Sequence, residues 1–309
     1  MASEINEEDL DENINAYGKF GETRLHTACR NGQFERVKHL VELGADVNIL
    51  SQIREYTPLY YSLFNGFLNI SAFLISKGAD VNKNIGKCKK HLIFEIIDSG
   101  YNSLKSIKLL LDHGADINSK DPFGKTILMK AILSKREKMI DLLLLYNLDL
   151  NLRDNLGNTA LMHSIISNSN LDNSILKKLI SLGADLNIPN LYGDTPLISS
   201  LKYFHESDAA FLLPHTKNIN HQNFDGKTAL HCAVKYSSST TVKSILSHYP
   251  DLSITTNSGH TALDIACQSS RYNYNYLDLK KTVELLLRKM WDIPKQHTSK
   301  PHPKRARRC

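Results

Sequence analysis

The sequence predicts an all-α repeat protein, built from about eight two-helix units that bury their apolar stripes against one another. Three observations carry that prediction. A four-residue anchor recurs with starting residues Thr23, Thr57, Lys90, Thr126, Thr159, Thr195, Thr228 and Thr261, in steps of 34, 33, 36, 33, 36, 33 and 33. A second anchor follows the first seven in fixed phase, at Gly44 to Asn48, Gly78 to Asn82, Gly114 to Asn118, Asn147 to Asn151, Gly183 to Asn187, Lys217 to Asn220 and Pro250 to Ser253. Between them, apolar residues fall three or four apart, as in Val37, Leu40 and Val41 or Ile107, Leu110 and Leu111, which puts one stripe on one helix face.

Each part of a unit has a physical reason. An anchor threonine caps the first helix with its hydroxyl, and a following proline, as at Pro58 and Pro196, loses an N–H that has no helical partner anyway. The glycine after the second helix supplies the left-handed residue that closes it, and Asn147 is expected to take that place in the fourth unit. Asp154 to Gly157, Asn190 to Gly193 and Asn223 to Gly226 have turn chemistry, with glycine where positive φ is needed. The third unit has Lys90 in place of the capping threonine. In the sixth, Pro214 is expected to stop the second helix early.

The two anchors resemble the T-P-L-H and G-A-D-x-N signatures of the ankyrin repeat, over most of the chain from about Tyr17 to about Trp291. The resemblance implies a solenoid of stacked helix pairs with β-hairpin-like turns projecting from one side, and a protein-binding adaptor. It divides the chain into an acidic segment at 1–16, the repeats at 17–293 and a basic tail at 294–309. Arg24, His26 and Arg30 suit an outward-facing first helix at one end. Lys280, Lys281, Glu284, Arg288 and Lys289 alternate with Val283, Leu286 and Leu287 at the other.

Composition limits the function classes. No aliphatic run approaches the roughly 20 residues of a membrane-spanning helix. The acids at 4, 7, 8, 9, 11 and 12 stand where a secretory signal would be basic. Five widely separated cysteines without a CxxC pair fit a reducing compartment, so a cytoplasmic protein is expected; it is also expected to be a monomer. The net charge of +6 hides opposite poles, with six acids in 1–12 and six bases in 295–309.

Catalytic readings find no residues to rest on. His26 and His231 occupy the family's own histidine position, which implies a structural hydrogen-bond role. His205-Glu206 lacks the second histidine of a metalloprotease helix. Cys29, Cys232 and Cys267 fall on first helices, where cysteine packs as a small hydrophobe. Phosphate loops are absent, and no cofactor or metal is expected.

The candidate surface comprises turn tips, the first-helix face and the long inter-helix loops. Phe123, Lys125, Tyr192, Asp194, Phe224 and Lys227 place aromatics beside charges, the composition of an interface centre; the alternative is that the rings pack on neighbouring turns. Tyr272, Tyr274 and Tyr276 lie in a Tyr/Asn-rich insertion that reads either as a binding loop or as a polar insertion. Lys304, Arg305, Arg307 and Arg308 resemble a short nuclear-import signal. They equally suit a tail that attracts nucleic acid, which makes a nucleic-acid-associated regulator the alternative function, or a merely solubilising end. The Asn-, Lys- and Ile-rich composition with degenerate repeats resembles ankyrin proteins of intracellular bacteria and large viruses, which would imply a host-directed role.

Overall fold

The computed structural model describes residues 13–100, 103–167, 173–269 and 276–291. The described residues form two compact bodies, divided between residues 167 and 168.

The first body contains helices α1 (Arg24–Arg30), α2 (Phe34–Glu42), α3 (Pro58–Phe64), α4 (Leu68–Ser76), α5 (Leu92–Ser99), α6 (Ser103–Asp112), α7 (Ile127–Leu133), α8 (Glu137–Leu143) and α9 (Ala160–Ile166). Odd-numbered helices pack on one another in order, and so do α2, α4, α6 and α8. The result is two helical layers with the apolar stripes between them: Leu25, Leu63, Phe94 and Ile132 from one layer, Leu40, Leu74, Leu110 and Leu143 from the other, all fully or nearly fully buried.

The second body contains α10 (Ser174–Ser181), α11 (Pro196–Lys202), α12 (Glu206–Leu212), α13 (Ala229–Tyr236), α14 (Ser239–Leu246), α15 (Ala262–Ser269) and α16 (Tyr276–Trp291). Here α11, α13 and α15 stack, and α14 packs between α12 and α16. Leu201, Ala233, Val242 and Leu286 are among its buried residues.

The capping threonines do what their chemistry suggests. Thr57, Thr126, Thr159 and Thr195 each accept the N–H three residues on, at 3.2, 3.4, 3.3 and 3.4 Å. Thr23 and Thr228 form reciprocal caps with His26 and His231. Lys90 cannot cap, and the third repeat starts differently. A two-residue ribbon pairs β1 (Asn84–Ile85) with β2 (Lys90–His91), and the helix begins at Leu92, whose N–H donates to Lys83 O at 3.0 Å.

A side-chain ladder ties successive repeats together through the second anchor. Asn48 accepts the Asp80 N–H at 2.7 Å and donates to Gly78 O at 2.8 Å; Asn82 repeats this with Asp116 and Gly114 at 2.8 and 3.0 Å. Asn118 and Asn220 accept from Asp149 and Asp251. The first rung lies ahead of Tyr17: Asn13 Oδ1 accepts the Asn15 N–H at 3.0 Å, as Asp46 does for Asn48, and Asn15 Oδ1 accepts the Asp46 N–H at 2.9 Å.

Several sequence expectations change. Gly44, Gly78, Gly114 and Gly183 have φ of 85 to 89°, but Asn147 is not left-handed. Leu144, Leu145 and Tyr146 instead leave α8 through short-range bonds to Ile140, Leu142 and Leu143, so the fourth repeat needs no left-handed closure. Tyr249 takes the closing position in the seventh repeat, with φ 53°. Pro214 does follow a short α12, seven residues against nine in α2 and α4, although α8 is as short without a proline and α12 runs on as a 3-10 turn, Leu213–His215. His26 is not on an outward face; it is fully buried. Cys29 and Cys232 are buried whereas Cys267 is exposed. Cys267 occupies the same repeat position as Cys29, but among the described residues no later first helix packs on α15 as α3 packs on α1.

Candidate protein-binding surface

The turn tips are built by short polar side chains that hold their own loop. In the first body Asp121 Oδ1 accepts the N–H groups of Phe123 and Lys125, both at 2.9 Å, and Asp154 does the same for Leu156 and Asn158. In the second body Asn190 holds Tyr192 and Asp194, and Asn223 holds Asp225 and Lys227. With the loop fixed from inside, the residue at the tip is directed outward.

Successive tips are also bonded edge to edge. Gln52 donates to Gly21 O, Gly86 to Glu55 O and Asn155 to Phe123 O; in the second body Phe224 donates to Tyr192 O and Asn257 to Asp225 O. A Cβ at Gly124 would lie 2.7 Å from the Asn155 backbone nitrogen, so glycine there serves this close approach as well as its φ of 74°.

The aromatic tips stand in solvent: Phe123 is 66%, Tyr192 59% and Phe224 73% exposed. They are not wholly independent of their neighbours, since Phe224 Cδ1 lies against the turn at Gly193. Lys125 places its ammonium 5.1 Å from the Phe123 ring centre, and Lys227 pairs with the exposed Asp225 at 2.9 Å. Asp194 differs from this group. It is 3% exposed, receives Lys202 Nζ at 2.6 Å and Asn223 Nδ2 at 2.7 Å, and acts as an internal brace. Burial opposes the Lys202 charge, but the bond to Asp194 and its negative charge hold that ammonium above its usual range.

Tyr272 and Tyr274 lie outside the described residues, as do Lys304, Arg305, Arg307 and Arg308. Tyr276 opens α16, its side chain outside the described set.

The first body holds a groove that the sequence reading did not single out. Phe20, Ile53, Tyr60, Tyr61 and Phe64 line a cavity of about 380 Å³ together with Glu22, Arg30 and Arg54. Ile53 and Phe20 share the tip position of Phe123, so the repeat register carried this signal. A second overlooked residue is Phe204, between α11 and α12. It is 65% exposed with φ 64°, at the loop position where Gly32 and Gly66 stand in the first two repeats. Its ring meets Tyr236 edge-on at 5.7 Å.

The buried titratable groups are set for structure. Burial lowers the pKa of His26, His231 and His163, the last despite its 2.8 Å contact with Asp154. Burial drives the Cys29 thiol upward and pushes Cys232 to about 12, the reverse of nucleophile activation. Among the described residues no three His, Cys, Asp or Glu side chains cluster as a metal site, and no helix is long and apolar enough to cross a membrane.

Each body is a scaffold of stacked helix pairs that presents its turn tips. The family model for ankyrin repeats matches residues 3–85, 96–190, 168–256 and 207–297, and the chain belongs to the ankyrin-repeat family. It is 31% identical over 108 residues to an ankyrin repeat protein of Rickettsia felis, covering 34% of this chain and 48% of the relative. It is 37% identical over 70 residues to one from Acanthamoeba polyphaga mimivirus, covering 23% and 9%, and 38% identical over 80 residues to one from fowlpox virus, covering 26% and 18%. The chain therefore spans less than half the length of each of these relatives. Ankyrin repeats are in general protein-interaction modules.

Proposed function

We propose that this protein holds a protein partner along its turn tips and first-helix faces. The supporting observation is the exposure of Phe123, Tyr192 and Phe224 on turns that are each hydrogen-bonded to a neighbouring turn of their own body. Large, rigid side chains on a prepaid loop lose little conformational freedom on binding, which is what an interface anchor requires.

The relatives from an intracellular bacterium and two large viruses favour a partner in a host cell. The basic cluster at Lys304, Arg305, Arg307 and Arg308 adds a route to the nucleus, tested by the distribution of a fluorescent fusion with and without residues 301–309. An unchanged distribution rejects that part alone.

The principal test is affinity capture with the full chain and with a Phe123→Ser, Tyr192→Ser, Phe224→Ser variant. A protein captured by the first and lost from the second, at equal Tm, supports the reading. Equal capture by both removes the tips from it.

A further inference from the structure

We infer that the groove of the first body takes a partner peptide offering one large apolar side chain beside a carboxylate. This rests on the protein-binding reading above and specifies the chemistry of one of its subsites.

The lining residues give the groove a defined shape. Tyr60 and Tyr61 form a buried floor, 7% and 5% exposed, while Phe20 and Ile53 stand 70% and 57% exposed above it. The Tyr60 ring is held between Tyr56, stacked at 4.0 Å, and Phe64 at 5.7 Å, so the floor is fixed before anything binds. A cavity of about 380 Å³ falls within the usual range for a ligand pocket and accommodates a large side chain with its adjoining backbone.

Charge decides what accompanies that side chain. Aromatic walls alone would also suit a cation. Among the described residues Glu22 is the only carboxylate in the lining, and it is already engaged: Arg30 meets its two oxygens at 3.1 and 3.0 Å, and the Tyr61 hydroxyl donates to it at 2.8 Å. Burial and Glu22 push the Tyr61 phenol up to about 12, so it stays neutral and supplies no charge. Arg54 is exposed and has no acidic partner among the described residues. With Glu22 and Arg30 cancelling, the groove carries one uncompensated guanidinium. It repels a cationic ligand and favours a carboxylate, which the planar guanidinium can receive on two donors.

The test uses the full chain and three fluorescein-labelled peptides: Gly-Glu-Phe-Asp-Gly-Ser, its analogue with alanine for phenylalanine, and its analogue with lysine for both acids. Fluorescence anisotropy should show saturable binding of the first, at least about tenfold weaker binding of the alanine analogue, and none of the lysine analogue. Arg54→Glu and Phe20→Ala, both exposed positions, should each weaken the first peptide by about tenfold at unchanged Tm. The inference is overturned by absence of saturable binding, by equal binding of the lysine analogue, or by indifference to both substitutions. Binding that appears only when the six acids between residues 4 and 12 are changed to amides also overturns it, because the groove then belongs to the chain's own acidic segment. A full-length partner held through the tip aromatics and insensitive to both groove variants would sink the groove while leaving the protein-binding reading intact.

Discussion

His26 joins the first repeat to the second through the carbonyl of Tyr56, 2.9 Å from its Nε2. Its Nδ1 lies 3.1 Å from the Thr23 backbone nitrogen, which can only donate, so the ring must be neutral with its proton on Nε2. One side chain thus caps a helix and bonds the next repeat.

Acid should undo that arrangement. Burial lowers the folded-state pKa of His26 and His231 below the ordinary 6.5. Their contribution is therefore fully present above about pH 6.5 and is lost as pH falls below it toward the folded-state values. Chemical denaturation from pH 7.5 down to 5 should show declining stability, less steeply in His26→Gln. At neutral pH His26→Ala should cost about 2 kcal/mol or more, and His231→Ala less, because its Nε2 to His260 O contact is longer at 3.3 Å. Equal costs, or stability rising toward pH 5, would contradict the assignment.

The asparagine ladder makes a more local prediction. Asn15→Ala removes the acceptor of the Asp46 N–H, and Asn48→Ala that of the Asp80 N–H. Each should cost about 1 kcal/mol and speed exchange of that one amide. Unchanged exchange at Asp46 in Asn15→Ala would show that the ladder does not extend to residue 15.

Asp194 and Asp225 provide a paired test of brace against surface. Asp194→Ala strands Lys202 and Asn223 and should cost about 2 kcal/mol or more. Asp225→Ala breaks only an exposed pair and should change stability by less than about 0.5 kcal/mol. Urea unfolding of both variants distinguishes them; similar values would mean that Asp194 is not a brace.

Phe204 is an aromatic side chain held in the left-handed region and turned to solvent, a combination that stability alone does not favour. Phe204→Gly should leave stability unchanged or raise it by up to about 1 kcal/mol, although it removes the contact with Tyr236. A loss exceeding about 1 kcal/mol would make Phe204 a packing residue rather than a surface one.

How much was legible follows from where each effect resides. The threonine caps were readable because a hydroxyl before a helix acts within its own turn. The Asp-x-Asn anchor was readable as a motif, but Asn48 works on Gly78 and Asp80 of the next repeat, a relation visible only once the repeats are stacked. Asn13 and Asn15 were hidden by the acidic segment beside them. Cys29 and Cys267 share a repeat position but not an environment, since burial depends on the neighbouring helix. Asp194 carried a usable signal: it stands one residue before its threonine with a cation eight residues on, as Glu22 does with Arg30. The conformation of Phe204 carried none, because a residue's φ is imposed by the loop it closes.

The central claim is that a protein partner lies against the turn tips. Its most direct test is photo-crosslinking in cells from benzoylphenylalanine placed singly at positions 123, 192 and 224, with exposed second-helix positions Lys138 and Lys243 as controls. A common protein adduct from the three tips and none from the controls is the predicted result. Adducts confined to positions 138 and 243, or none at the tips, would contradict it.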